Sequence, residues 1–414
     1  SRGLKTGQLH HGASLAVDYC PPGTSFDHFR IIRLLGRGGM GEVYLARDEQ
    51  LGRKVALKVI RRELSSTGDS LERFLFEART TARFNHPHIV TIYAVGQVNG
   101  TPYVALEYLE GQNLADRASE YSLSAYESLR ICLAIAQAID EAHRHDVMHR
   151  DLKPENVLIP TDGRVRVVDF GLAYALDPEA QEETSTSGSG GGGKIHGTPA
   201  YMAPEQWAGE VTPTTDVWAI GLILHELMSG NRPYPDSSPI VMMHRVISDE
   251  EIPLDEGLEE APPGVVELIR DCLRKNPRAR PSASEVVERL MEQIYEGRRH
   301  FEQGESPFRG LLAFAERHAD YFFGRDAEIS ACSERLRQES IMAIVGPSGV
   351  GKSSFIQAGV IPRLREGARW IVLRIRPADD PLRRLASKLV AALKGESGSN
   401  PVGSAESAPN PTPV

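Results

Sequence analysis

No stretch of this 414-residue sequence reaches the roughly 18 consecutive apolar residues that a membrane-crossing helix needs. The best candidate, around Val217 to Leu224, is short and is followed at once by His225 and Glu226. The residues after Ser1 lack the basic, apolar and small-residue order of a secretory leader, which predicts no secretion signal and a cytoplasmic location. Cysteine is scarce as well: Cys20, Cys132, Cys272 and Cys332 are far apart, show no paired metal-ligand spacing and predict buried free thiols in a reducing compartment. Nor is there an excess of positive charge. With 47 Lys and Arg against 56 Asp and Glu, the formal net charge is −9, which argues against a nucleic acid or an anionic membrane as the main partner. What is present, 41% hydrophobic and 25% charged residues, is ordinary globular composition at a length that predicts two or three folded units.

Residues 1–27 mix Gly, Pro, Ser and His without a sustained period, and Pro21-Pro22-Gly23 is a strong breaker, so a flexible lead is expected. From Phe29 the pattern changes. Ile31, Ile32, Leu34 and Leu35 read as a strand, then comes Gly36-Arg37-Gly38-Gly39-Met40-Gly41, then Val43 to Ala46 as a second strand. The same glycine spacing occurs in dinucleotide-binding loops, but there it must open a helix. Here the β-branched and aromatic residues after it favour a hairpin, which suits a glycine lid over phosphates. Val55 to Ile60 is a third apolar strand and carries Lys58, a cation that needs an anion to fix it. Residues 70–84 have helical periodicity with Leu71, Phe74, Leu75 and Ala78 on one face, and Glu77 beside that face is the expected partner of Lys58. Ile89 to Val95 and Tyr103 to Tyr108 read as two more strands, and Leu123 to His143 as a long helix opening a mainly helical half.

Directly after that helix comes His149-Arg150-Asp151-Leu152-Lys153-Pro154-Glu155-Asn156. A hydroxyl attacking a phosphoryl group needs an acceptor aimed at its proton, and Asp151 can supply one at neutral pH. Lys153 can neutralise charge spreading over the transferred oxygens, and Asn156 offers an uncharged oxygen of the kind Mg²⁺ accepts. A short β pair, Val157 to Ile159 with Val165 to Val168, then delivers Asp169-Phe170-Gly171, in which Asp169 is a second candidate metal ligand.

In order and spacing these residues resemble the protein kinase superfamily, in particular bacterial Ser/Thr kinases of the eukaryotic-like type, over about residues 28–296. The resemblance implies an α+β two-lobed protein kinase fold, β-rich first and helical second, using ATP and Mg²⁺ on protein substrates. It implies that Leu35, Val43, Ala56 and Leu158 enclose the adenine, that Leu106 is the gatekeeper, and that the backbone from Glu107 to Leu109 meets the adenine edge. Gly36, Gly38 and Gly41 would cover the phosphates, Lys58 held by Glu77 would position them, and Asn156 and Asp169 would hold the metal. Asp151, Lys153 and Thr198 would be catalytic, with Lys153 implying Ser/Thr specificity. Asp216 would brace the catalytic loop and Arg280 would pair with Glu205. The Thr- and Ser-rich segment 173–194 would be the activation loop, with Thr184 or Thr186 autophosphorylated, by self-association in trans, and the phosphate read by Arg150.

A linker is expected at 297–307 and a second unit over 308–395. Ser340 to Val345 reads as a strand running into Gly346-Pro347-Ser348-Gly349-Val350-Gly351-Lys352-Ser353, a P-loop whose Gly346 and Gly351, Lys352 and Ser353 would cradle phosphates and Mg²⁺. This unit resembles the start of a STAND-type signalling NTPase, with a further strand at Trp370 to Ile375. No later strand ending in an acidic metal ligand follows, and residues 396–414 are Ser, Pro, Gly and Asn rich, so a partial α/β module with weak or no hydrolysis and a disordered tail are expected. An active kinase governed by an attached P-loop unit is the reading these motifs favour. The alternative is a pseudokinase scaffold, or a sensor domain serving the NTPase.

Overall fold

The computed structural model describes residues 20–39, 41–61, 68–83, 85–121, 123–170, 198–234, 238–248, 252, 254, 257–259, 261–296, 312–367, 370–375 and 380–395. Thr184, Thr186, Gly171 and most of the expected lead, linker and tail therefore lie outside the described residues.

Alternation of apolar and polar residues from Phe29 onward builds an antiparallel sheet. Its strands are β1 (Ser25–Phe26), β2 (Phe29–Gly38), β3 (Gly41–Asp48), β4 (Lys54–Ile60), β5 (Ile92–Val98) and β6 (Thr101–Glu107), in the order β1-β2-β3-β4-β6-β5. The glycine stretch is the β2–β3 hairpin, as its flanking residues predicted, with Gly38 opposite Gly41 and an Arg37–Glu42 ion pair at 2.9 Å closing the turn. Helix α1 (Gly68–Thr81) lays Phe74 and Ala78, both fully buried, against Ile60, Val104 and Leu106 of the sheet. On the sheet's other face Phe29, Tyr44 and Leu57 form a separate core.

The second lobe starts with β7 (Gly111–Asn113), then α2 (Leu114–Glu120), whose Asp116 N–H donates to the side chain of Asn113 at 2.8 Å. The long helix α3 (Ala125–Arg144) is capped by Ser124, which accepts from Glu127 N at 3.2 Å. β8 (Val157–Pro160) pairs with both β7 and β9 (Arg166–Val167). Helices α4 (Pro213–Ser229), α5 (Pro239–Ile247), α6 (Pro263–Cys272) and α7 (Ala283–Glu296) complete the lobe. Its core is one cluster around Trp218, Ile135, Ile139 and Ile220, in which α4 is apolar on every side and accordingly buried. Gly230 ends α4 in the left-handed region at φ 73°, its N–H donating to Glu226 O.

The third region holds α8 (Asp326–Gln338), α9 (Lys352–Ser354), a π-helical stretch Phe355–Val360 that continues into α10 (Ile361–Gly367), and α11 (Pro381–Gly395). The two strands expected at 340–345 and 370–375 are absent: those residues carry no ladder pairing among the described residues. Ile341 and Val345 are 85% and 90% exposed. An apolar run becomes a strand only when a neighbour takes its backbone groups and covers its side chains, and neither segment has such a neighbour here. No helix among the described residues is long and apolar enough to cross a membrane.

Candidate active site

Lys58 and Glu77, expected to pair, do not. Lys58 Nζ lies 2.7 Å from Asp169 Oδ1, and Glu77 Oε1 accepts from Arg150 Nη1 at 3.0 Å. The reason is local supply of charge. Lys58 is buried and needs an anion, and the nearest is the carboxylate that the β9 end brings under the sheet. Glu77 likewise cannot stand alone: burial pushes its carboxyl above the ordinary value, and Arg150 opposes that rise. Burial also works against ionised Asp169, yet the Lys58 ammonium outweighs it and holds this carboxyl below its usual range. Arg150 and Asp169 both sit at positive φ, 66° and 67°, so the side chains that exchanged partners leave the backbone from two sharp turns.

The loop around Asp151 is assembled as its spacing predicted, with more anchors than sequence could name. Asp151 Oδ1 accepts from Thr198 N at 3.1 Å and Oδ2 from Lys153 Nζ at 2.8 Å, while Lys153 Nζ also donates to Thr198 Oγ1 at 2.7 Å. Asn156 Nδ2 donates to Asp151 O at 2.8 Å, and its amide oxygen carries no protein donor among the described residues. Beneath them, Asp216 accepts from His149 N and Arg150 N, each at 2.8 Å, which puts the expected brace in contact with the loop. His143 was not anticipated: its Nε2 lies 2.9 Å from Asp216 Oδ2 and favours the ionised carboxyl, leaving Asp216 below the ordinary range despite complete burial. Gln206 was missed too, and its Nε2 donates to Arg150 O at 2.9 Å. The only sequence signal for His143 was a polar residue in the last turn of an otherwise packed helix. The His149 ring stacks obliquely on buried Phe170 at 4.8 Å, which seats the segment carrying Asp169 against the loop.

On the nucleotide side, Ala56, Leu106 and Leu109 pack in one cluster, with Leu106 buried at the β6 end. Val43 and Leu158 are half-buried and Leu35 is 37% exposed. Glu107 N–H is already given to Thr91 O at 2.9 Å, so Glu107 has only its carbonyl to offer an adenine edge. The three glycines differ. A Cβ at Gly36 or Gly38 would meet open space, the room a phosphate needs, whereas at Gly41 it would lie 2.0 Å from Val59 O. Gly41 is thus required by the approach of β3 to β4.

In the P-loop, Gly349 and Gly351 take positive φ of 81° and 88°, and Gly346 packs near Val350. Lys352 Nζ donates to the carbonyls of Gly346 and Pro347, each at 2.7 Å, and Ser353 is exposed beside it at the start of α9. Of the expected strand, loop and helix, the loop and the helix that starts at Lys352 are present, whereas the strand expected before the loop is not.

A β lobe and a helical lobe that meet across a buried lysine, two carboxylates and a glycine hairpin form the arrangement of a nucleotide-dependent phosphotransferase. The family follows from comparison. Residues 29–290 match the protein kinase domain family and residues 307–411 match the family described as novel STAND NTPase 1; the chain belongs to the protein kinase family. Serine/threonine-protein kinase PknA of Mycobacterium tuberculosis (strain H37Rv) is 36% identical over 292 residues, 69% of this chain and 65% of that protein. PknB of Mycolicibacterium smegmatis is 32% identical over 277 residues, 66% of this chain and 43% of that protein. The crystal structure of the M. tuberculosis PknI kinase domain superposes with a TM-score of 0.53 at 26% identity, covering 66% of this chain and 100% of that one. The chain thus spans from 43% to 65% of the length of these two curated relatives.

Proposed function

We propose that this chain is a cytoplasmic Ser/Thr protein kinase that transfers the γ-phosphoryl group of ATP to protein hydroxyls, with Mg²⁺ as cofactor and without nucleic acid as a partner. The observation that carries the reading is the fixed carboxylate of Asp151, held on one oxygen by Thr198 N–H and on the other by Lys153. So fixed, it can accept or orient the proton of an incoming hydroxyl, while Lys153 steadies charge on the transferred group. Asp169 and the amide oxygen of Asn156 are hard oxygen donors and suit Mg²⁺, whose chemistry when bound is to neutralise phosphate charge. Lys58 would then turn to the α and β phosphates, with Glu77 fixing it. The test is transfer of labelled phosphate from ATP to a protein acceptor, with mass-spectrometric mapping of the product; phosphate on residues other than Ser or Thr would overturn the reading.

The observed pairing supports a resting arrangement in which four ions, Lys58 with Asp169 and Arg150 with Glu77, each hold a partner other than the one the active state needs. A phosphate on Thr184 or Thr186, added by a second copy of the chain, would compete for Arg150, free Glu77 to take Lys58, and free Asp169 for metal. Replacing Arg150 by Ala removes a half-buried, charge-assisted hydrogen bond of about 1.5–3 kcal/mol. The rate of phosphatase-treated chain is therefore expected to rise by about tenfold, while further activation on incubation with ATP is lost. Initial rates before and after ATP incubation check both signs together, and an unchanged starting rate would remove the resting role of this pair.

A further inference from the structure

The P-loop region is seated on the helical lobe through charge. Across the junction of α8 with α3, Arg337 grips Glu127 with both nitrogens, Nη1 to Oε1 at 3.1 Å and Nη2 to Oε2 at 3.2 Å. Deeper in, Arg117 of α2 lies 3.4 Å from both Glu127 Oε1 and Glu334 Oε2, with side chains of Arg117 and Glu334 only 1% and 5% exposed. Burial raises the Glu127 and Glu334 carboxyls, and Arg117 counters it in both. Gly163, in the β8–β9 turn at φ 72°, lets the two regions touch: a Cβ there would be 2.4 Å from Ala331 N in α8.

Such a network contributes little net stability, because desolvation offsets attraction, but it fixes register and separates without exposing a large apolar face. It also lies between the two nucleotide motifs. The helical run that starts at Lys352 ends in α10, where Arg363 stacks 3.7 Å over the Tyr126 ring of α3 and lies 3.7 Å from Asp326. On the kinase side, α2 packs against the turn Pro154–Asn156, which carries a proposed metal ligand.

From this we infer that α2 and the first turn of α3 form a docking surface for the chain's own P-loop unit, through which occupancy of Gly346 to Ser353 alters kinase turnover. The coupling half rests on the kinase reading above; the docking half does not.

Full-length chain is compared with Gly163→Asn, Arg337→Glu, Glu127→Arg and the charge swap Glu127→Arg/Arg337→Glu. Asn tolerates positive φ, so Gly163→Asn intrudes on α8 with little local strain. Hydrogen exchange of the α8 amides is expected to speed by about tenfold or more in each single variant and to return towards the parent in the swap. Unchanged exchange in Gly163→Asn and Arg337→Glu would overturn docking. Turnover is then measured with and without Lys352→Ala in each background. The Lys352→Ala effect is expected in the parent and the swap and absent in Gly163→Asn and Arg337→Glu; no effect in the parent, or an equal effect in all, would overturn coupling. Absence of transfer in the parent would instead strike the kinase reading and leave the exchange result standing.

Discussion

Asp151→Asn is expected to lower phosphoryl transfer by about 10²–10⁴-fold, the range for losing a positioned general base, with nucleotide affinity nearly unchanged. The substitution is close to isosteric, so Thr198 N–H keeps an acceptor on one side of the new amide. On the other side, Lys153 Nζ loses a carboxylate oxygen at 2.8 Å and either faces an NH₂ or turns wholly to Thr198 Oγ1. Both the proton acceptor and the alignment of the lysine are lost together, so adding Lys153→Ala to Asp151→Asn should lower the rate by much less than the two separate losses multiplied. Steady-state transfer and equilibrium ATP binding, measured on the same preparation, separate chemistry from binding. A rate above about a tenth of the parent would show that the hydroxyl is activated elsewhere.

How far such residues could be read from sequence depends on how local their determinants are. The glycine hairpin was legible because Val43 and Tyr44 cannot be mistaken for the start of a helix, and the octet because its chemistry lies within one loop. α3 followed from its periodicity, while the Ser124 cap that starts it was seen only in the structure. Partner choice was not legible. Sequence offers Lys58 more than one candidate carboxylate, and only the positions of α1 and the β9 end decide that Asp169 takes it while Glu77 goes to Arg150. The segments 340–345 and 370–375 failed for a related reason: apolar composition states that a segment needs a sheet, and only a neighbouring strand supplies one. His143, Gln206 and the Arg117–Glu334 contact join residues from 56 to 217 positions apart, a span over which composition and periodicity carry no information.

The largest expected loss of stability lies away from the reacting groups. Arg280→Met is expected to destabilise the helical lobe by about 3–5 kcal/mol, the loss typical when one partner of a buried ion pair is removed. Arg280 meets Glu205 with both nitrogens, at 2.7 and 2.8 Å, the two side chains being 0% and 5% exposed. It also donates to the carbonyls of Thr214 and Arg274, at 3.0 and 2.7 Å. Methionine fills similar space but leaves the Glu205 carboxylate with Thr215 Oγ1 as its one remaining side-chain donor among the described residues, and leaves those carbonyls without Arg280. Removing the orphaned charge as well, in Arg280→Met/Glu205→Gln, should recover about half of the loss, because an unpaired buried carboxylate is worse than no pair. Urea midpoints of the parent, both single variants and the double variant give the cycle. Equal losses in Arg280→Met and the double variant would show that Glu205 is not the source. The effect should reach catalysis: the turn Pro204–Trp207 presents Gln206 to Arg150 O, so folded Arg280→Met, assayed below its transition, should transfer phosphate more slowly even where its circular dichroism matches the parent.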